Sequence, residues 1–316
     1  MTILSISIAC CLFNSTEAQK NISDTSRPGQ KDLVDVVYVI IKKNLSTRDR
    51  QEVKTKKSRP SIGPILEYTL STGLTLGLAA SVSFFSDTSE DTKSSLILAA
   101  VKFTQKSQFL FPVQSSFWTK ENKFNFIGDW HYINFPQDTY GFGGYTTQAD
   151  GYTIDYKSIR FYEFALKKMK TNFYVGFGYL LDYHWNIQQI NPPVGKVTDY
   201  DTYGFNTTST SSGIALNILY DSRKNSVNAE GGSFFCNVRF LQNARILGSN
   251  TNWNSLLVDV RKYFALPGGN VFGFWSYNVF TLGGNPPYLD LPGTGTDTYN
   301  NTGRGYIYDR AKGLFL

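Results

Sequence analysis

Few residues of this chain combine the types and spacing that enzymatic chemistry would need. The sequence has two histidines, His131 and His184, and it contains neither a Gly-x-Ser-x-Gly nucleophile elbow nor a His-Glu-x-x-His zinc motif. An esterase or protease would need a nucleophile beside a histidine or carboxylate base. We therefore interpret both histidines as unrelated strand residues, and we expect no catalytic residues, no metal site and no cofactor.

Other charged side chains could contribute to function without taking part in a chemical reaction. Five of them fall in stretches where apolar and polar residues alternate: Asp129, Asp182, Arg239, Asp259 and Arg261. If these stretches line a water-filled interior, such residues set the charge preference for a solute that binds or passes. We predict them as lumen residues, on the condition that the strands around them close into a barrel.

The composition limits the classes of protein that could hold these residues. The chain has 31 basic and 25 acidic residues, a formal charge of +6, which is too mild to indicate a nucleic-acid partner. It is rich in Tyr (20) and Phe (24), yet its mean hydropathy is only −0.25. Two all-β classes fit this combination: a soluble sandwich and a membrane barrel.

Alternation of apolar and polar residues runs from residue 61 onward. In "NFYVGFGYLLDYHW" (172–185) every second residue from Phe173 to Trp185 is apolar, and the residues between them are mostly small or polar. Such stretches span about ten or more residues, as tilted transmembrane strands do, whereas soluble strands usually have five or six. This length favours the barrel. We expect aromatic residues near strand ends to form interfacial girdles, with Trp118, Tyr183, Trp185 and Trp275 as candidates.

Eleven strands are predicted, near 61–70, 73–85, 94–104, 107–118, 123–135, 153–167, 171–185, 209–220, 232–243, 253–265 and 270–281. The long segments 136–152 and 186–208 then follow odd-numbered strands, while the short turns 119–122, 167–172 and 266–270 follow even-numbered ones. That is the asymmetry between extracellular loops and periplasmic turns. Since an antiparallel bacterial barrel needs an even number of strands to close, we expect the barrel, residues 61–316, to be incomplete at its C-terminus.

The residues before the barrel divide into two segments. Residues 1–18 have the apolar core (Ile3 to Phe13) and the small residues of a secretory signal peptide, although no Lys or Arg precedes the core; a lipoprotein signal at Cys10 is the alternative. Removal of this segment leaves Cys236 as the only cysteine, so no intramolecular disulfide can form. Residues 19–60 are predicted as a periplasmic segment whose "KDLVDVVYVIIKKN" forms a short amphipathic helix, or, as the alternative, a strand.

Three stretches together resemble the Omp85 superfamily of outer-membrane assembly and translocation barrels, which includes the bacterial surface antigen D15 domain. "LYDSRKNSVNAEGGSFF" resembles the family's periplasmic turn, with Asp221, Arg223, Asn225 and Gly231 in the motif positions. "FPQDTYGFGGYT" resembles a loop of small family members. "TGRGYIYDR" resembles the signature of the sixth extracellular loop, here Gly303, Arg304, Gly305 and Tyr306.

The resemblance implies a sixteen-strand barrel of which about eleven strands are present, without the periplasmic POTRA modules of the family. It implies that the Arg304 loop folds back into the barrel and anchors on the inner wall. It also implies a location in the bacterial outer membrane and a role in inserting or translocating proteins there. The partners would be membrane lipid, unfolded client proteins and periplasmic or lipoprotein accessories. A passive channel or ligand-binding barrel is the alternative.

Overall fold

The computed structural model describes residues 58–69, 72–87, 92–143, 146–204, 207–223 and 229–293. The predicted signal peptide, the predicted amphipathic helix and the Arg304 loop lie outside these residues. Within them the chain is all-β, as the alternation of apolar and polar residues predicts.

The strands form one antiparallel sheet whose order follows the chain, except that a short strand, β6, pairs only with β7. The twelve strands of the described residues are β1 (Arg59–Thr69), β2 (Gly73–Phe84), β3 (Ser95–Thr104), β4 (Phe109–Trp118), β5 (Phe124–Asn134), β6 (Gln137–Thr139), β7 (Tyr152–Lys170), β8 (Phe173–Ile190), β9 (Thr208–Asp221), β10 (Phe234–Asn243), β11 (Trp253–Ala265) and β12 (Val271–Gly284). The eleven predicted strands are therefore confirmed, and β6 is an addition within a stretch predicted as loop. Over the described residues the sheet is not closed, because β1 pairs only with β2 and β12 only with β11.

One short α-helix, α1 (Asp199–Tyr203), lies between β8 and β9. Thr198 caps it, since its hydroxyl accepts from the Asp201 backbone N–H while the Asp201 carboxylate accepts from the Thr198 N–H. Single 3₁₀ turns lie at Lys120–Asn122, Gln148–Asp150, Arg245–Leu247, Pro267–Gly269 and Tyr288–Asp290. No helix in the described part of the chain has the length and apolar character to cross a bilayer.

The up-and-down order places the connections at two ends of the sheet. End A holds the connections 85–94, 119–123, 171–172, 222–233 and 266–270, and end B holds 70–72, 105–108, 135–151, 191–207, 244–252 and the segment 285–293. The longest connections are at end B, as predicted. The tightest turn is at end A, where Asn172 adopts φ 61°, a left-handed conformation that asparagine tolerates.

Side chains from distant strands meet on one face of the sheet. Trp118 and Tyr174 lie on β4 and β8, three strand positions apart, or about 14 Å across a flat sheet. Their ring centroids are nevertheless 5.3 Å apart. Arg239 on β10 likewise lies 5.8 Å from the ring of Tyr162 on β7. The sheet therefore curls toward this side, which we call the inner face; the opposite side is the outer face.

The outer face is apolar and open. Along β8 it carries alternate residues from Phe173 to Trp185, and the intervening residues from Tyr174 to His184 point to the inner face. Phe177 is 65% exposed, whereas Leu166 on the inner face is 0% exposed. Soluble monomers rarely expose contiguous apolar patches larger than a few hundred Å². Glu163 lies within this apolar surface and accepts a hydrogen bond of 2.9 Å from the Trp130 indole.

Aromatic rings on the outer face form two rows. Near end B, contacts of 5.0 to 6.1 Å between ring centroids join Phe103, Phe109, Tyr132, Trp185 and Tyr183. Near end A, contacts of 6.0 to 6.3 Å join Phe84, Phe117, Phe126 and Phe124. The rows are eight residues apart on β4 (Phe109 to Phe117), which is about 27 Å along the strand.

Tyr183 and Trp185 face outward, as a girdle requires, whereas the girdle prediction is wrong for Trp118 and Trp275, which face inward. Trp118 is 7% exposed and packs on Tyr174 on the inner face. Trp275 also points inward, where its indole donates to Asp259 at 2.8 Å. The prediction used residue type alone, and a tryptophan near a strand end can face either side of the sheet.

Candidate functional site on the inner face

The inner face brings together the five residues that the sequence predicts as lumen candidates. Asp129, Asp182, Arg239, Asp259 and Arg261 all occupy inward positions, because each lies an even number of residues from a buried inward neighbour on its own strand. Their side chains join two polar networks, one around Asp182 and one around Asp259.

Asp182 is the centre of the first network. It pairs in register with Arg160 on the neighbouring strand, and the Arg160 Nε donates to its carboxylate at 3.1 Å. The Tyr162 hydroxyl donates to the other carboxylate oxygen at 2.5 Å. Two donors thus compensate a half-buried carboxylate, the condition under which a buried charge is tolerated.

Asp129 on β5 lies beside this network, opposite Tyr162 in the strand register. Its carboxylate lies 2.8 Å from His131 Nε2 and accepts from the Gln114 amide at 3.2 Å. The other histidine, His184, lies elsewhere, with its Nδ1 3.9 Å from Asp290. The two histidines therefore belong to separate clusters.

Arg239 contacts this network through the aromatic rings of Tyr162 and Phe164. Its guanidinium carbon lies 5.8 Å from the ring centroids of both Tyr162 and Phe164, within the range of a cation–π interaction. No carboxylate of the described residues lies within ion-pair distance of it. Arg239 thus presents a positive charge to the interior without an acidic partner among those residues.

The second network contains Asp259 and Arg261. Two hydrogen bonds of 3.0 and 2.7 Å join the Arg261 guanidinium to the Asp259 carboxylate. The guanidinium carbon also lies 4.7 Å from the Trp275 ring and 5.0 Å from the Phe235 ring. This bidentate geometry fixes the orientation of the arginine.

The predicted turn motif contributes a buried ion pair at end A. Arg223 donates to Asp221 through Nε at 2.9 Å and through a terminal nitrogen at 3.0 Å, and its backbone N–H donates to the same carboxylate. Phe235 covers the guanidinium, with the ring centroid 4.2 Å away. Asp221 and Arg223 therefore form a rigid turn that could not be recognised from the spacing alone, since burial distinguishes it from an ordinary solvated turn.

Lys93 extends this cluster across the inner face. It precedes β3, but its Nζ donates to the Asp221 carbonyl at 3.2 Å and lies 4.8 Å from the Trp118 ring. Burial lowers the pKa of Lys93 below its usual 10.5, although the charge of Asp221 opposes this effect. β3 and β9 are five strand positions apart, so the contact spans the inner face at end A.

The other two members of the turn motif are Gly231 and Asn225. Gly231 lies against the end of β11, where an added Cβ would come within 2.6 Å of the Ala265 Cα. Only glycine allows this approach without a backbone shift. Asn225 lies outside the described residues.

At end B the segment after β12 folds over the inner face. Asp290 accepts from the Ser211 hydroxyl on β9 at 2.5 Å, and the Tyr288 hydroxyl lies 2.8 Å from Thr139 Oγ1 on β6. Tyr288 is 1% exposed and stacks edge-on against Tyr200 of α1 at 5.6 Å. Burial raises the pKa of Tyr200 above its usual range. We call this segment, 285–293, the strap.

The strap precedes the predicted lumen anchor in the sequence, and Gly303, Arg304, Gly305 and Tyr306 lie outside the described residues. The stretch resembling the family loop, 135–146, meets the strap at Thr139 and meets α1 through Phe142, whose N–H donates to Asp199. These contacts between loops were not predicted, because no residue pattern indicates which loops meet.

The described residues contain no cluster of His, Cys, Asp and Glu that could hold a metal ion. No protein-family model matches this chain, and a search of the curated proteins finds no match either. The inner face thus offers fixed charges: carboxylates paired with arginines in the middle, the cations of Lys93 and Arg223 at end A, and Tyr288 and Asp290 of the strap at end B.

Proposed function

We propose that this protein is a bacterial outer-membrane β-barrel of the Omp85 type that takes part in inserting or translocating proteins. In this proposal the sheet closes into a barrel of the sixteen-strand type, with further strands pairing to the free edges of β1 and β12. The inner face then becomes the lumen, and the five charged candidates become lumen residues. Lipid surrounds the outer face.

The observation that carries the membrane location is the apolar outer face between two aromatic rows. Their separation of about 27 Å along a strand corresponds to about 21 Å along the membrane normal for a strand tilt of about 40°. An outer-membrane barrel has an apolar band about 25 Å tall between aromatic girdles. A soluble sandwich would instead need a second sheet to cover this face.

The inserting role is supported by the edge of β1 and by the strap. In the proposed barrel the last strand closes against β1, which pairs only with β2 in the described residues; opening of that seam would expose the edge of β1 to an incoming strand. The strap lies over the inner face at end B, and the Omp85 resemblance implies the same inward course for the Arg304 loop. The mechanism is mechanical, since strand exchange needs no reacting group.

The test is acceleration of client folding. The purified protein is reconstituted into vesicles, and the folding rate of an unfolded eight-stranded outer-membrane protein is followed by its heat-modifiable band in gel electrophoresis. We expect faster client folding than in vesicles holding the same mass of heat-unfolded protein. If the client folds at the same rate in both kinds of vesicle although the protein is inserted and folded, the inserting role is refuted, but the proposed membrane location is not.

A passive channel is the second candidate, because the Asp182 and Asp259 networks provide fixed charges along the inner face. The contacts of Lys93 at end A and of the strap at end B cross that face, which favours the inserting role over free passage. Single-channel conductance distinguishes the two. A steady conductance whose ion selectivity changes in Asp182→Asn would favour the channel.

A further inference from the structure

We infer that the outer face of the β7–β8 hairpin near end A binds an anionic glycerophospholipid, with an acyl chain in an apolar groove and the phosphate held by Lys167 and Lys170. This inference rests on the proposed membrane location. It does not depend on the inserting role.

The first observation is the groove itself. It has a volume of about 560 Å³, within the range of about 300 to 1,000 Å³ that is typical of small-molecule sites. Its lining is formed mainly by outward residues of one hairpin: Ala165, Lys167, Met169, Phe173, Val175 and Phe177.

The residue pairs across the hairpin explain the depression. Ala165 lies opposite Phe177, and Val175 lies opposite Lys167, so a short side chain stands next to a long one in each pair. Phe177 is 65% exposed and Met169 59% exposed, so the described part of the chain does not cover this apolar surface. Met169 can adapt to an acyl chain that lies in the groove, because methionine side chains are flexible.

The second observation is charge. Lys167 and Lys170 are both exposed, and neither lies within ion-pair distance of a carboxylate of the described residues. Lys123 at the same end differs, since its Nζ lies 3.2 Å from Glu121. Lys167 and Lys170 are three residues apart near the end of β7, or about 10 Å along the strand. Two flexible ammonium groups at this spacing can both reach one phosphate.

Position selects a glycerophospholipid as the occupant. End B carries the two longest connections, 135–151 and 191–207; in an outer-membrane barrel the long loops lie outside the cell, so end A faces the periplasm. The lysines then lie at the height of the phosphates of the periplasmic leaflet, while Phe177 and Ala165 lie deeper, toward the acyl chains. A basic residue near an anionic surface gains about 1 kcal/mol of binding free energy, so two lysines give a preference that can be measured.

The experiment titrates the purified protein, in non-ionic detergent, with phosphatidylglycerol or phosphatidylcholine and counts bound lipids by native mass spectrometry. We expect phosphatidylglycerol to bind more tightly, and the double variant Lys167→Ala/Lys170→Ala to bind it about 30-fold more weakly than the wild type. The matched control is Lys157→Ala, on the outer face of the same strand near end B, which should bind like the wild type.

A second variant, Ala165→Trp, fills the groove and keeps both lysines, and it should also weaken phosphatidylglycerol binding. Equal affinity for the two lipids in the wild type would overturn the inference even if every variant failed to fold. So would tighter binding of lipopolysaccharide that the double substitution weakens, since the site would then belong to the opposite leaflet. A protein that does not insert into vesicles at all would refute the proposed membrane location instead.

Discussion

Arginine substitutions along the outer face of β8 should destabilise the protein according to depth. Tyr179 lies six residues from both Phe173 and Trp185 on the same face, or about 20 Å along the strand and about 15 Å along the normal for a 40° tilt. Tyr179 then lies close to the midplane of the apolar band, whereas Trp185, a member of the aromatic row near end B, and Phe173, at the start of β8, lie at its two edges. Relative to alanine at each site, arginine should cost about 2–4 kcal/mol at 179 and about 0–1 kcal/mol at 173 and 185.

The assay is urea-dependent unfolding from phosphatidylcholine vesicles, followed by tryptophan fluorescence and checked by the heat-modifiable band on gels. A midplane penalty of about 3 kcal/mol changes the ratio of folded to unfolded protein about 150-fold. Each Arg variant is compared with the Ala variant at the same position, so that the lost aromatic contacts cancel. A penalty that is equal at all three positions, or smallest at 179, would refute the assignment of this face to lipid.

Three further predictions concern end A. Arg223→Ala should lower the free energy of unfolding by about 3 kcal/mol, because it leaves the buried Asp221 carboxylate without its partner; a loss below about 1 kcal/mol in urea titrations would contradict this. Burial lowers the pKa of Lys93, so between that lowered pKa and 10.5 the unfolded state binds more protons than the folded state. The free energy of unfolding of the wild type should therefore rise with pH in that window, relative to that of Lys93→Met. Parallel pH profiles of the two proteins would argue against this. Gly231→Ala should destabilise by about 1–3 kcal/mol, whereas Gly273→Ala, whose Cβ would find its nearest neighbour at 3.6 Å, serves as the tolerated control in the same titration.

The sequence predicts the sheet well because period-two alternation is a property of each strand by itself. Phe173 to Trp185 on β8 could be assigned to one face without knowing the neighbouring strands. β6 was missed since its three residues, Gln137–Thr139, are too few to show a period. The far end of β8, "NIQQI", was also missed, because it lacks the alternation that marks the rest of that strand.

The contacts of the inner face were not predicted from the sequence. Asp221 and Arg223 are two residues apart, as are Asp259 and Arg261, so these pairings are local, but the spacing alone does not show that they form. Arg160 meets Asp182 only because the register of β7 and β8 places them opposite each other, and that register includes two irregularities. Lys93 and Asp221 are separated by 128 positions, and their contact depends on the curl of the whole sheet.

The strand order has a consequence for how the chain folds. Along β1 to β12, apart from the short β6, every neighbour in the sheet is also a neighbour in the chain, so each pairing closes a hairpin and needs little loop-closure entropy. The β7–β8 hairpin has the shortest turn and the longest strands, 19 and 18 residues. We expect this hairpin to nucleate first, with pairing then spreading outward in both directions, so that β1 and β12 are the last of the described strands to be fixed.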